Sequence, residues 1–169
     1  MARISCLGTT HFKISQDGLD RFSWPVGQTQ SVINSLVEHL RPGGLPRDTF
    51  IGWNQKDREG NLGYLTNNMR FLILPWVRVP HLASHILSRI ARRISADWHQ
   101  KYGHPVYLLE TFVDRSLFRG VCYQAANWML NGQTKGRTRN DRNHTIQATV
   151  KDVYIYPLVK DFRRRLCSL

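Results

Sequence analysis

One segment, residues 71–87, most constrains the fold of this chain, because it predicts a strand that runs directly into a helix. An apolar run begins at Phe71 and is interrupted by Pro75 and Pro80. Apolar side chains then recur at helical spacing. Where a strand ends at the first turn of a helix, backbone N–H groups and the positive end of the helix dipole face one point. The segment therefore predicts an anion site suited to a phosphate-bearing ligand.

The alternation of patterns after residue 48 predicts one α/β domain over residues 49–169. Residues 1–48 form a poorly defined N-terminal region with one predicted helix, Ser31 to Leu40. The expected elements of the domain are a strand at 49–53, a polar turn or short helix at 55–62, a strand at 67–74, a helix from His81 to about His99, a strand at 106–113, a helix at 121–130, a β-rich segment at 150–158 and a short helix at 161–166.

The charge of the chain favours phosphate-rich partners. Lys and Arg number 24 against 12 Asp and Glu, for a formal net charge of +12. The excess is concentrated in a polar segment, residues 132–144, with four cations that we take as candidate nucleic-acid contacts: Lys135, Arg137, Arg139 and Arg142. Such a loop contacts the backbone of a nucleic acid without reading its sequence. The alternative is a solvated loop with no ligand.

Several classes of protein are disfavoured by the sequence. No apolar run approaches the ~20 residues that span a bilayer, and the N-terminus is too short and too polar for a signal peptide. The three cysteines are widely spaced and form no CxxC pair, which disfavours a disulfide framework and a zinc site. His81 and His85 share helical spacing but lack the glutamate of an HExxH motif. We expect a cytoplasmic protein with no metal and no membrane contact.

Residues 73–87 resemble the strand–loop–helix motif of the GCN5-related N-acetyltransferase (GNAT) family. The residues that fall in its register without a gap are Ile73, Pro75, Arg78, Leu82, Ala83, Ile86 and Leu87, while Val79 and His81 stand where the family carries glycines. The resemblance implies a GNAT-like mixed central sheet flanked by helices, with acetyl-coenzyme A or a related acyl donor held by the backbone of the loop. The cofactor-binding residues that it implies are Arg78, Val79, Pro80, His81, Leu82, Ala83 and Ser84.

Two residues outside this loop are candidates for acid–base chemistry. In GNAT proteins the helix after the next strand carries a tyrosine that protonates the leaving thiolate, and Tyr123 stands at that position. The alternative for Tyr123 is an aromatic residue of the core. Glu110 lies in an apolar run, where burial would raise the pKa of its carboxyl toward that of a base. The alternatives are a structural carboxylate at Glu110 and a base at His81 or His85.

Longer stretches from about Phe50 onward resemble the DruA family of Druantia anti-phage systems. They read FIGWN, NNMRFLILPWVRVPHLASHIL, LLETFVD, GVCYQAANWMLNGQTKGR and VKDVYIYPL. The YQAANW element is also similar to one in phage Mom proteins, GNAT-like enzymes that modify adenine in DNA. The resemblance implies an anti-phage or mobile-element setting, nucleic acid and other defence-system or transposon proteins as partners, and acyl-type transfer to an amine. The alternative is a GNAT-derived domain that has lost its cofactor and binds nucleic acid as an accessory module.

Overall fold

The structure, a computed structural model of the 169-residue chain, describes residues 3–4, 12–13, 46–69, 71–74, 76–136 and 149–167. The predicted helix from Ser31 to Leu40 lies outside the described residues. The described elements are β1 (Arg3–Ile4), β2 (Phe12–Lys13), α1 (Pro46–Ile51), α2 (Gln55–Asn61), a 3-10 helix (Leu62–Tyr64), β3 (Leu65–Asn67), α3 (Leu82–Tyr102), β4 (Leu108–Asp114), α4 (Val121–Ala125), β5 (Met129–Gln133), β6 (Lys151–Pro157) and α5 (Phe162–Cys167).

The main sheet contains four strands in the order β3-β4-β6-β5. Strands β3 and β4 are parallel, whereas β6 is antiparallel to both of its neighbours, β4 and β5. Strands β3, β4 and β5 therefore run in one direction and end at one edge of the sheet, which we call the carboxyl edge. Strands β1 and β2 form a separate antiparallel pair. The expectation of a mixed sheet flanked by helices in one α/β domain is confirmed.

Strand β4 supplies side chains to two separate cores, because successive residues of a strand point to opposite faces of the sheet. Leu109 and Val113 pack in the core that includes α3, and we call this side the α3 face. Leu108 packs in a second core with Phe162 and Leu166 of α5, and we call that side the α5 face.

Helix α3 forms because its apolar residues recur on one side. The buried ones are Ile86, Leu87, Ala91, Ile94 and Trp98, and burial of each larger side chain contributes about 1.5–3 kcal/mol. The helix ends at Gly103, whose φ of 77° suits glycine and whose N–H donates to the carbonyl of His99 at 2.9 Å. The predicted helix from His81 to about His99 is confirmed and extends to Tyr102.

Three sequence predictions differ from the structure. Residues 49–53 belong to α1 and the turn after it rather than to a strand, and this helix is anchored by the buried charges of Arg47 and Asp48. The strand predicted at 67–74 is the shorter β3, and residues 71–74 belong to no strand. The helix predicted at 121–130 is α4 followed by β5, since Asn127 has a φ of 62° that a helix cannot continue through.

The remaining elements follow the sequence pattern closely. The segment at 55–62 is a short helix, and the strand predicted at 106–113 is β4. The β-rich segment at 150–158 is β6, and the short helix at 161–166 is α5.

Candidate functional site at the carboxyl edge

Strands β3 and β4 part beside Thr111. The last pairing contacts are the Asn68 N–H, which donates to the carbonyl of Glu110 at 2.8 Å, and the Thr111 hydroxyl, which donates to the carbonyl of Asn68 at 2.9 Å. Beyond this level β4 continues to Asp114, and its described strand partner there is β6 alone. The parting leaves one side of β4 without a neighbouring described strand toward the carboxyl edge.

The hydroxyl of Tyr123 lies at this point of parting. The Asn68 side-chain amide donates to it at 3.0 Å, and the Thr111 hydroxyl lies 3.4 Å from it. The ring of Tyr123 is buried on the α3 face, with its centroid 5.2 Å from that of Trp128 and 5.8 Å from that of Tyr154. These contacts fix the orientation of a proton-bearing group where the two strands separate.

A glycine allows helix α4 to begin directly against Tyr154. Gly120 has a φ of 68°, and a Cβ atom there would lie 2.6 Å from the Tyr154 hydroxyl oxygen. The same hydroxyl accepts a hydrogen bond from the Gln124 side chain at 2.9 Å. This close approach brings the first turn of α4, including Tyr123, onto the end of the sheet.

Residues 78–84 lead into the first turn of α3, and we call them the α3 loop; residues 68–77 separate them from the end of β3. His81 has a φ of 58°, a conformation that favours glycine, and His81 stands where the GNAT motif carries glycine. Its carbonyl accepts hydrogen bonds from the His85 N–H and the Ser84 hydroxyl, both at 3.0 Å. Val79 is 56% exposed, so its side chain lies largely in solvent. The backbone at His81 thus adopts a conformation that favours glycine, although the residue is histidine.

The other residues of the α3 loop differ in exposure. Arg78 and Pro80 are exposed, whereas Leu82, Ala83 and Ser84 are partly buried at the start of α3. Pro75 lies outside the described residues. All seven predicted loop residues come after residues 68–77, and within that segment the ring of Phe71 lies 6.4 Å from the ring of Tyr123.

Cationic side chains also follow β4 and β5 at the carboxyl edge. Arg115 and Arg119 come after β4, and Arg115 Nε lies 3.4 Å from a carboxylate oxygen of Asp152. Lys135 is exposed and comes after β5, at a point fixed by the Thr134 N–H, which donates to the carbonyl of Lys151 at 2.8 Å. The other three predicted nucleic-acid contacts, Arg137, Arg139 and Arg142, lie outside the described residues.

The carboxylate of Asp114 ends β4 at the same edge. Its Oδ1 accepts hydrogen bonds from the Ser116 hydroxyl at 2.6 Å and the Ser116 N–H at 2.9 Å, and Thr149 donates to its other oxygen. The Ser116 hydroxyl, followed by that of Thr149, holds the pKa of Asp114 below its ordinary value of 3.8.

Glu110 lies on the α5 face, away from Tyr123. Its Oε2 is 2.6 Å from Nη1 of Arg47, and each residue is 1% exposed. Asp48 bridges Arg47 and Arg58, at 3.0 and 3.2 Å. Burial works against the charge of Arg47, but the carboxylates of Glu110 and Asp48 outweigh it and raise the pKa of Arg47. The candidate acid and the candidate base therefore do not share one site.

Three residues of these clusters are not singled out by the sequence. Nothing in the sequence marks Asn68 or Thr111 as part of a site. Arg47 had a detectable signal, because a glutamate within an apolar run requires a buried cationic or hydrogen-bonding partner. In the sequence, many arginines meet this requirement equally well, so only the fold identifies Arg47 as the partner of Glu110.

No cluster of three or more His, Cys, Asp or Glu side chains suited to a metal ion occurs in the described part of the chain. None of its described helices combines the length and apolar character needed to cross a membrane.

A family model described as Druantia protein DruA matches residues 44–149, well over half of the chain. The matched range begins just before α1 and includes β3, β4 and β5. It therefore includes Glu110 with its partner Arg47, and Tyr123 with its partner Asn68. No curated protein and no solved structure matches the chain.

Proposed function

The chain belongs to the DruA family, and from that premise we propose that it transfers an acyl-type group from a thioester donor to an amine on nucleic acid. Membership of the family suggests an anti-phage defence setting. One observation carries the proposal: the segment between β3 and α3 packs Phe71 against Tyr123, and Tyr123 and Lys135 both follow strands that end at the carboxyl edge. In this proposal the α3 loop binds a phosphate of the donor, Tyr123 supplies a proton and Lys135 contacts the acceptor.

The donor, acetyl-coenzyme A or a related thioester, fits the start of α3. The first turn of this 21-residue helix presents backbone N–H groups and the positive end of the dipole. His81 has a left-handed backbone conformation that favours glycine, and it stands where the GNAT motif carries glycine. Arg78 is exposed beside it and supplies a charge-assisted contact to a phosphate oxygen.

Tyr123 acts as the acid of the proposed transfer. The bound donor supplies an activated carbonyl carbon, to which the amine nitrogen bonds as the carbon–sulfur bond breaks. Tyr123 gives its hydroxyl proton to the leaving thiolate, and the Asn68 amide and Thr111 hydroxyl hold that hydroxyl in place. His81 or His85, at the start of α3, takes the proton that the amine loses. Glu110 has no part in the transfer, because it is paired with Arg47 on the opposite face.

Calorimetry with acetyl-coenzyme A tests the donor site. Loss of a charge-assisted hydrogen bond in Arg78→Ala should weaken binding about 10- to 100-fold. Arg92→Ala removes an exposed arginine of α3, outside the loop, and should leave binding unchanged. Absence of binding at millimolar concentrations would overturn the donor site.

Incubation with acetyl-coenzyme A and oligonucleotides, followed by mass spectrometry of the nucleic acid, tests the transfer. Tyr123→Phe should lower the amount of acylated product about 10²- to 10⁴-fold, as expected for loss of a general acid. Donor binding should be retained, since the aromatic ring remains. Equal product from wild-type protein and Tyr123→Phe would remove Tyr123 from the mechanism.

A second function, nucleic-acid binding without catalysis, is favoured by one observation. Val79 and His81 place side chains where the GNAT motif has glycines, and those side chains narrow the approach to the backbone. This function predicts salt-dependent binding of nucleic acid with no affinity for acetyl-coenzyme A. Neutralising Arg119 and Lys135 should then flatten the dependence of affinity on salt concentration.

A further inference from the structure

Two large aromatic side chains are exposed in the segments that leave β3 and β4 at the carboxyl edge. Trp76 is 72% exposed in the segment between β3 and α3, and Phe118 is 61% exposed in the segment between β4 and α4. The two segments meet at α4, because the ring of Phe71 in the first segment lies 6.4 Å from that of Tyr123 in α4, and the second segment leads directly into α4. Neither ring contributes to the two buried cores of the described residues.

Both rings lie on tight, hydrogen-bonded turns. The Val77 N–H donates to the carbonyl of Leu74 at 2.9 Å across the turn that carries Trp76. The Phe118 N–H donates to the carbonyl of Asp114 at 2.8 Å, and the side chain of Asp114 is itself bonded to Ser116. The backbone beneath each exposed ring is thus held in place before any partner arrives.

Each ring also has an exposed arginine within two residues along the chain. Arg78 follows Trp76, and Arg119 follows Phe118. The described carboxylates of the β4 and β6 ends are already engaged, Asp152 by Arg115 and Asp114 by hydroxyl groups. The edge therefore combines exposed aromatic faces with positive charge that is available to an anionic partner.

We propose that the carboxyl edge binds single-stranded nucleic acid, with unpaired bases stacked on Trp76 and Phe118 and the phosphate beside Phe118 contacted by Arg119. This inference rests on the proposed function, whose acceptor is nucleic acid, and it names the form of that acceptor. Aromatic faces stack on bases only when those bases are not already stacked and paired within a duplex. Positive charge beside the rings matches a phosphate backbone and disfavours an uncharged apolar partner.

Fluorescence anisotropy provides the test, with a labelled oligothymidylate of about 12 nucleotides, within the usual range of site sizes. A duplex of the same length and an abasic strand with the same phosphates serve as comparison ligands. The single strand should bind most tightly, because the abasic strand lacks rings to stack and the duplex does not offer them. Trp76→Ala and Phe118→Ala should each weaken single-strand binding about 5- to 150-fold and leave abasic binding unchanged.

Matched variants distinguish base stacking from general apolar contact. Trp76→Phe and Phe118→Trp retain a planar ring and should keep single-strand binding close to that of the wild type. Leu117→Ala should have no effect on binding, although Leu117 is 72% exposed beside Phe118. If Leu117→Ala weakens binding as much as Phe118→Ala, the surface is a general apolar docking site and the inference is overturned. Equal affinity for duplex and single strand also overturns it but leaves the proposed function standing. Absence of binding to every nucleic acid defeats both.

Discussion

The two faces of the sheet each bury a polar cluster, and the clusters begin at neighbouring residues of β4. Glu110 points to the α5 face and is paired with Arg47. Thr111 points to the α3 face and lies beside the hydroxyl of Tyr123. One peptide bond thus separates a cluster of full charges from a cluster of neutral hydroxyl and amide groups.

The difference between the clusters lies in what surrounds them. Around Glu110, helices α1 and α2 supply Arg47 and Arg58, and the charges satisfy one another away from solvent. Beside Tyr123, strand β3 ends and its pairing with β4 stops, and the chain continues toward α3. A buried carboxylate is therefore no sufficient mark of an active base, since a paired guanidinium makes it structural. A fixed neutral hydroxyl where two strands part is better placed for proton transfer.

The largest expected effect comes from breaking the charged cluster. Arg47→Met leaves Glu110 buried without its guanidinium, and we expect the free energy of unfolding to fall by about 3–5 kcal/mol. Chemical denaturation measures this loss. The double variant Arg47→Met with Glu110→Leu removes both charges and should recover most of it.

The same pair of variants decides whether this cluster is purely structural. If the double variant is stable and still acylates nucleic acid, the α5 face has no catalytic part. If it is stable but inactive, Glu110 or Arg47 contributes to the chemistry, and the contrast between the two faces is wrong.

A smaller effect is expected from crowding the cluster on the α3 face. Gly120→Ala adds a Cβ that would lie 2.6 Å from the Tyr154 hydroxyl oxygen, at a φ of 68°. Gly103→Ala is the matched control, with a φ of 77° and no atom within 4 Å. Denaturation should show Gly120→Ala to be less stable than Gly103→Ala by about 1–3 kcal/mol, the cost of overpacking. Equal losses would mean that α4 can shift away from Tyr154 freely.

Removal of the Tyr123 hydroxyl should lower the free energy of unfolding by less than either of these changes. Tyr123→Phe keeps the ring contacts with Trp128 and Tyr154 but deprives the Asn68 amide of its acceptor. We expect stability to fall by about 0.5–1.5 kcal/mol, the usual net contribution of a hydrogen bond. A loss as large as that of Arg47→Met would show that the Tyr123 cluster, too, is chiefly structural.

The parts of the fold that the sequence predicted are those set by local patterns. Helix α3 carries a continuous apolar stripe, and β4 and β6 are rich in apolar and β-branched residues. Helix α1 was missed because two of its three buried side chains are the charged Arg47 and Asp48, which an apolar pattern does not register. The length of β3 was overestimated, since residues 71–74 carry apolar side chains but belong to no strand.

Prediction of the site had a corresponding limit. Motif register in the sequence named the α3 loop and Tyr123 as candidates, and their roles stay predictions. It did not place Glu110 on the opposite face, because that depends on which residue of β4 begins the inward alternation. Asn68 was not predicted either, since its contact with Tyr123 joins residues 55 positions apart.

The smallest expected effect concerns Asp114, a carboxylate at the carboxyl edge. Hydroxyl groups stabilise the charge of Asp114, whereas the guanidinium of Arg47 stabilises the charge of Glu110. Ser116→Ala removes the main hydrogen bond that lowers the pKa of Asp114, so that pKa should rise toward 3.8. A group with a lowered pKa in the folded state adds stability above its unfolded pKa and loses it as the pH falls. Wild type should therefore exceed Ser116→Ala in stability at neutral pH, with the difference fading as the pH falls through and below 3.8. Carboxyl NMR titration measures the pKa directly, and Thr149→Ala should produce a smaller rise. A pKa of Asp114 unmoved by either substitution would show that this edge does not depend on the hydroxyl groups.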